Sequence, residues 1–68
     1  MSVIKVIELV GQSSDSWEDA VRQAVATAAK TVRNIQGVEV KNWTGTVENG
    51  QITGYRADVH VAFVVENT

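Results

Sequence analysis

The first stretch of the chain has the residue pattern of a β-strand. Residues 3–10 are rich in the β-branched residues that favour strands. Both faces of this strand are largely apolar: one carries Val3, Ile7 and Leu9, and the other carries Ile4, Val6 and Val10. A strand with one solvated face would alternate more cleanly between apolar and polar residues. We therefore expect both faces to be covered, and a single helix can cover only one of them.

A helical pattern follows the polar turn at residues 11–16. Its apolar positions recur at intervals of three and four residues: Trp17, Ala20, Val21, Ala24, Val25, Ala28, Val32 and Ile35. This spacing predicts an amphipathic helix that begins after an N-cap at Ser13 or Asp15 and runs to about Asn34. Gly37 suits the left-handed position that often ends a helix.

The last thirty residues predict a β-hairpin. The dipeptide Asn49-Gly50 favours a two-residue type I′ turn between strands at 38–48 and 51–66. The predicted cross-strand pairs are Glu48–Gln51, Val47–Ile52, Thr44–Tyr55, Trp43–Arg56, Lys41–Asp58, Val40–Val59, Glu39–His60 and Val38–Val61. One face then carries Val38, Val40, Tyr55, Ala57, Val59, Val61 and Phe63. The other face carries Glu39, Lys41, Trp43, Arg56, Asp58 and His60. Apolar residues meet apolar residues in this register, and acids meet bases or imidazole.

The order strand, helix, strand, strand predicts an α+β fold. The helix returns the chain so that the first two strands are parallel, and the third strand inserts between them. The result is a three-stranded antiparallel sheet of order 1-3-2, with the helix packed on one face. The uncovered face combines the apolar positions of the first strand with the charged and aromatic set of the hairpin. Such an exposed patch is typical of an interface or a binding surface.

The length and composition of the chain exclude several kinds of site and function. Sixty-eight residues make one domain, 1–68, whose core alone is marginal. The chain has no Cys and one His, which excludes disulfides and multi-His zinc sites and leaves oligomerisation as the reinforcement. A net charge of −2 argues against nucleic-acid binding. No apolar run is long enough to span a membrane, and the N-terminus lacks a signal-peptide layout, so we expect a cytoplasmic protein.

Taken together, these segments resemble the dodecin family. The matching residues are 5–11 (Lys-Val-Ile-Glu-Leu-Val-Gly) with the Ser-rich turn, 16–20 (Ser-Trp-Glu-Asp-Ala), 24–29, 31–33, 38–40, Gly45 and 59–63 (Val-His-Val-Ala-Phe). The resemblance covers nearly the whole chain. It implies a βαββ fold, assembly as a hollow homo-dodecamer and, as in many dodecins, binding of the flavins riboflavin or FMN.

The sequence departs from the flavin-binding dodecins at two positions. Gly37 stands where they have the Trp whose indole stacks on the flavin ring. Arg56, after Tyr55, stands where they have a Gln that hydrogen-bonds the flavin. The predicted ligand-contacting residues are Arg56, Trp43, Gly37 and Tyr55, and the sequence identifies no metal ligands.

Each candidate residue has a structural alternative. Trp43 and Arg56 could form a platform for a planar or anionic ligand, or they could fill a subunit interface. The acids of the hairpin could gather around a symmetry axis and bind a hard cation, or make only salt bridges. Trp17 fits core packing or a subunit contact, and His60 opposite Glu39 fits a structural pair.

The Ser-rich turn fits helix capping better than an anion site, although helix N-termini do bind anions. No nucleophile motif accompanies the single His, so we predict a protein that is not an enzyme. Two functions remain: a shell that sequesters a small ligand, or a flavin-free structural dodecamer that holds metal ions or anions on its symmetry axes.

Overall fold

The structure, a computed structural model, describes residues 3–65 and has four elements. They are the strand β1 (Val3–Ser13), the helix α1 (Trp17–Ala28) and the strands β2 (Ile35–Glu48) and β3 (Gln51–Val65). Both β1 and β2 pair with β3 in antiparallel fashion, which gives the sheet order β1-β3-β2. The predicted fold class, element order and sheet order are confirmed. Residue 66, the predicted last residue of the hairpin, lies outside the described residues.

The helix begins later and ends earlier than predicted. Its N-cap is Ser16, whose Oγ accepts a hydrogen bond from the backbone N–H of Asp19 at 3.0 Å, so the assignment of the cap to Ser13 or Asp15 is wrong. The helix ends at Ala28 because β2 already begins at Ile35, which packs against the core. The chain reverses through Asn34, whose φ is 62°, while Gly37 lies within β2. The left-handed role assigned to Gly37 is therefore also wrong.

The core lies between α1 and the middle of β3. It is formed by small and β-branched side chains with at most 4% exposure: Ala20, Ala24, Ala57, Val59 and Val61. Gly11 in β1 lets the helix approach this closely, because a Cβ at Gly11 would stand 2.0 Å from the carbonyl oxygen of Ala20. Alanine on the helix and glycine on the strand together set the distance between helix and sheet.

The hairpin register is correct at both ends and wrong in the middle. Asn49 and Gly50 have φ values of 52° and 75°, as the predicted turn requires. The confirmed pairs are Glu48–Gln51, Val47–Ile52, Val40–Val59, Glu39–His60 and Val38–Val61. A bulge at Thr53 in β3 shifts the pairing by one residue, and a second bulge at Lys41 in β2 shifts it back.

Between the two bulges, the side chains of β2 point to the opposite faces of the sheet from those predicted. Trp43 pairs with Ala57 instead of Arg56, and Asn42 instead of Lys41 pairs with Asp58. Thr44 takes the position opposite Arg56, and Gly45 the position opposite Tyr55. Because a shift of one residue exchanges the two faces of a strand, the side chain of Trp43 moves to the helix side of the sheet. No helix within residues 3–65 is long and apolar enough to cross a membrane.

Candidate functional site

The sheet has one face without a helix, which we call the open face. It carries Ile4, Val6, Glu8, Val10 and Gln12 on β1 and Arg56, Asp58, His60 and Ala62 on β3, as the pairing of the two strands requires. The apolar side chains of its β1 edge are exposed by 54% at Ile4, 52% at Val6 and 58% at Val10. This row of β-branched residues stands directly beside the charged residues of β3.

The open face contains one ion pair within the described residues. His60 Nε2 lies 3.7 Å from Glu8 Oε2. The predicted neighbour Glu39 is opposite His60 on β2, so the imidazole lies between two carboxylates on the strands at either side. Glu8 was not predicted because the turn at Asn49-Gly50 sets the register of the hairpin alone and leaves the register between β1 and β3 open.

Arg56 lines a groove at one end of the open face. The groove has a volume of about 350 Å³ and is lined by Gln12, Ser13, Ser14, Thr46, Thr53, Gly54, Tyr55 and Arg56. Arg56 makes no ion pair within the described part of the chain. The guanidinium is therefore available to an anionic or hydrogen-bond-accepting group. The Ser-rich turn belongs to this groove as well as to the start of the helix.

Asp58 lies at the centre of the open face, between Val10 and Asn42. Its Oδ1 is buried and has no hydrogen-bond partner within residues 3–65. The predicted cross-strand pair of Asp58 with Lys41 is wrong because Lys41 occupies the bulge in β2. A buried carboxylate oxygen without a donor carries a desolvation cost, and a partner chain or a cation would relieve it.

Gly37 lies beside open space. A Cβ at this position would meet no atom within 4 Å, and Gly37 pairs with Ala62 across the sheet. Together with Val6, Val38, Glu39, His60 and Ala62 it lines a second groove of about 270 Å³. The space that a large side chain would fill at this position is therefore present and unobstructed.

The aromatic side chains Trp43 and Tyr55 lie on the helix side, around Trp17. The ring centroid of Trp17 is 4.7 Å from that of Tyr55 and 6.3 Å from that of Trp43. Trp17 Nε1 donates a hydrogen bond to the carbonyl oxygen of Thr44 at 2.8 Å. Within one chain, Trp43 and Arg56 therefore lie on opposite faces of the sheet and form no common platform. Gly45 and Gly54, which are unusual within strands, were the sequence signals that could have indicated the bulges.

The described residues of one chain do not supply a complete set of metal ligands. Within residues 3–65, no three His, Asp or Glu side chains are grouped closely enough to hold a metal ion. The open-face acids of one chain do not form such a group, so a cation site there would form where copies of the chain bring several carboxylates together.

The whole described chain matches a known family model. The model of the dodecin family matches residues 3–66. The dodecin of Thermus thermophilus is 38% identical over 66 residues, which cover 97% of this chain and 96% of that protein. The calcium dodecin of Mycobacterium tuberculosis is 41% identical over 64 residues, which cover 93% of this chain and 89% of that protein.

Solved structures agree with the sequence comparison. The crystal structure of the Mycobacterium tuberculosis calcium dodecin, described as calcium-chelating with a novel calcium-binding site, has a TM-score of 0.81 at 34% identity and covers 97% of this chain and 94% of that one. The dodecin of Streptomyces coelicolor has a TM-score of 0.92 at 33% identity, with 98% and 96% coverage. Sequence and fold agree over nearly the full length, and this chain belongs to the dodecin family.

Proposed function

We propose that this chain assembles as a homo-dodecamer through the open face of its sheet and sequesters a small ligand without catalysing a reaction. The observation that carries the proposal is the exposed apolar edge of that face, formed by Ile4, Val6 and Val10. A soluble chain of this size leaves such a patch uncovered at the risk of aggregation, and its small core benefits from further burial. The other face of the sheet is already covered by α1.

Flavin is the ligand class that the family resemblance implies, and Arg56 is its strongest candidate contact. The groove beside Arg56 presents a guanidinium that makes no ion pair within residues 3–65, which suits the phosphate of FMN. An aromatic partner for the flavin ring is less well supported, because the aromatic side chains Trp17, Trp43 and Tyr55 cluster on the helix side of the sheet, away from Arg56. We therefore expect FMN to bind more tightly than riboflavin, since only FMN carries the phosphate.

A flavin titration with two variants tests this ligand. Arg56→Gln introduces the glutamine that flavin-binding dodecins have at this position and removes the guanidinium. This variant should therefore lose the preference for FMN over riboflavin. Gly37→Trp places an indole in open space on the sheet and should increase the quenching of flavin fluorescence. Gly37→Ala is the matched control, since it adds a methyl group without an aromatic ring. Wild-type protein that quenches neither flavin, with no gain in Gly37→Trp, would overturn flavin binding.

A divalent cation is the second candidate ligand, and Asp58 is the observation that favours it. Its buried Oδ1 has no partner among the described residues, and one relative at 41% identity is named calcium dodecin. Copies of Asp58 around a symmetry axis of the assembly would supply the carboxylate oxygens that Ca²⁺ prefers. Such a site requires the oligomer, because residues 3–65 of one chain hold no group of three His, Asp or Glu side chains that could bind a metal ion.

Calcium titration calorimetry separates the cation from the flavin. We expect Asp58→Asn to weaken Ca²⁺ binding by at least about tenfold, which corresponds to about 1.4 kcal/mol. Asp15→Asn removes an exposed carboxylate outside the open face and should leave binding unchanged. Equal loss in both variants, or no binding by the wild-type oligomer, would contradict a cation site at Asp58.

A further inference from the structure

A separate groove lies on the helix side of the sheet, away from the open face. It has a volume of about 510 Å³ and is lined by Trp17, Glu18 and Trp43, which we call the indole corner. The two indole planes stand at 90° to each other with their centroids 6.3 Å apart. The groove therefore has two aromatic walls at a right angle and one carboxylate beside them.

One wall of the indole corner is held in a fixed orientation. Trp17 is tied to β2 by the 2.8 Å hydrogen bond from its Nε1 to the carbonyl oxygen of Thr44. Its ring also makes an edge-to-face contact with Tyr55, with centroids 4.7 Å apart. Because the ring is fixed in the absence of a ligand, binding against it costs little side-chain entropy.

The other two residues of the indole corner, Trp43 and Glu18, are exposed and accessible to a ligand. Trp43 is 51% exposed, although an indole is among the largest apolar side chains of the chain. Glu18 is exposed and makes no ion pair within residues 3–65. The neighbouring acid Asp19 is already engaged, because it accepts a hydrogen bond from Ser13 Oγ at 2.6 Å.

We propose that the indole corner binds a small quaternary ammonium ion. Indole faces attract cations through the negative potential of the ring, and Trp is the strongest of the aromatic side chains in this respect. The carboxylate of Glu18 adds a full negative charge. The first-turn acids Glu18 and Asp19 outweigh the partial positive charge of about half a unit at a helix N-terminus.

A quaternary ammonium fits these walls better than an inorganic cation or a neutral ring does. Inorganic cations require several oxygen ligands, and the corner offers one carboxylate. A neutral aromatic ligand would stack on indole but would gain nothing from Glu18. The corner lies on the opposite side of the sheet from the open face, so this inference does not depend on the proposed flavin or calcium site.

The test is a titration of the oligomeric protein with choline chloride, followed by tryptophan fluorescence and by the proton shift of the choline methyl groups. We expect saturation in the millimolar range, because exposed cation–π contacts are weak, and an upfield shift from the indole ring currents. Sodium chloride controls for ionic strength. The neutral isostere 3,3-dimethylbutanol, which lacks the charge, should bind more weakly than choline.

Three variants locate the site. Trp43→Leu should abolish the choline response, and Glu18→Gln should weaken choline binding about two- to fivefold, the range of an exposed charge contact. Glu48→Gln, which removes a carboxylate at the hairpin end, should have no effect. Size-exclusion elution identical to wild type shows that the variants are assembled. Equal binding of choline and its neutral isostere, or unchanged affinity in Glu18→Gln, would overturn the proposal, and Glu18→Gln decides it if Trp43→Leu fails to fold.

Discussion

The close contact between Gly11 and the helix predicts that even Gly11→Ala, the smallest possible substitution, strongly destabilises the fold. In Gly11→Ala, the added Cβ would stand 2.0 Å from the carbonyl oxygen of Ala20, 2.9 Å from its carbonyl carbon and 3.1 Å from the Cβ of Ala24. The first two atoms belong to the helix backbone and cannot move aside by changing a rotamer. The helix would have to move away from the sheet by about an ångström, which would open the core beneath it.

We expect Gly11→Ala to lower the free energy of unfolding by about 3 kcal/mol or more, at or above the upper end of the range for overpacked cores. For a domain of 60–100 residues this corresponds to a fall in Tm of about 12–24 °C. Thermal unfolding followed by far-UV circular dichroism measures the shift. All variants must be compared at one protein concentration, because the stability of an oligomer depends on concentration.

Gly37→Ala is the matched control for this experiment. The added Cβ at Gly37 meets no atom within 4 Å, and Gly37 does not have a positive φ. We expect a change in the free energy of unfolding within about ±0.5 kcal/mol, or a slight gain from the stiffer unfolded chain. Equal stability of Gly11→Ala and Gly37→Ala would refute the close approach of helix to sheet at Gly11.

Three further substitutions test the cap, the indole and the open face. Ser16→Ala removes the side chain that caps α1 and should cost about 1 kcal/mol in urea unfolding, whereas Ser14→Ala should be neutral. Trp17→Phe keeps an aromatic ring but loses the hydrogen bond to β2, so we expect a loss of about 0.5–1.5 kcal/mol in the same assay. Val6→Glu places a charge on the exposed apolar edge and should dissociate the oligomer in light scattering. Ala26→Glu, on the exposed side of the helix, should leave the oligomer intact.

Each of these expectations can fail on its own. Equal unfolding midpoints for the two serine variants would show that the cap contributes nothing. A Trp17→Phe protein as stable as wild type would mean that water replaces the lost bond. An intact Val6→Glu oligomer, or dissociation by Ala26→Glu as well, would contradict assembly through the open face.

The residue pattern predicted the fold because each element carries its own signal. The β-branched run of the first strand, the three-and-four spacing of the helix and the hairpin turn at Asn49-Gly50 together leave one simple topology. The register at both ends of the hairpin was also predictable. Val40–Val59 and Glu39–His60 pair as expected because the second bulge cancels the first.

The register at the centre of the hairpin could not be predicted by matching apolar and charged residues across the two strands. One extra residue at Thr53 and one at Lys41 exchange the faces of the segment between them, and the glycines within the strands, Gly45 and Gly54, are the signals of this irregularity. As a result Trp43, which the sequence placed beside Arg56, packs near Trp17 instead. The aromatic and cationic parts of the candidate site are thereby separated onto opposite sides of the sheet.

The predicted end of the helix, near Asn34, was wrong for a similar reason. Val32 and Ile35 continue the apolar spacing of the helix, but Ile35 already belongs to β2 and packs on the core from there. Asn34 tolerates the positive φ that the reversal needs, so a glycine was not required. Local periodicity cannot distinguish these arrangements, because tertiary packing of Ile35 decides between them.

The mass of the assembled protein tests the central claim most directly. Native mass spectrometry or light scattering of the purified protein should give about 89 kDa, which is twelve times the chain mass of 7.4 kDa. In Val6→Glu the same measurement should show a smaller species, because the charged edge would have to be buried. A wild-type mass near 7.4 kDa would contradict assembly through the open face and with it the cation site at Asp58, which needs carboxylates from several chains.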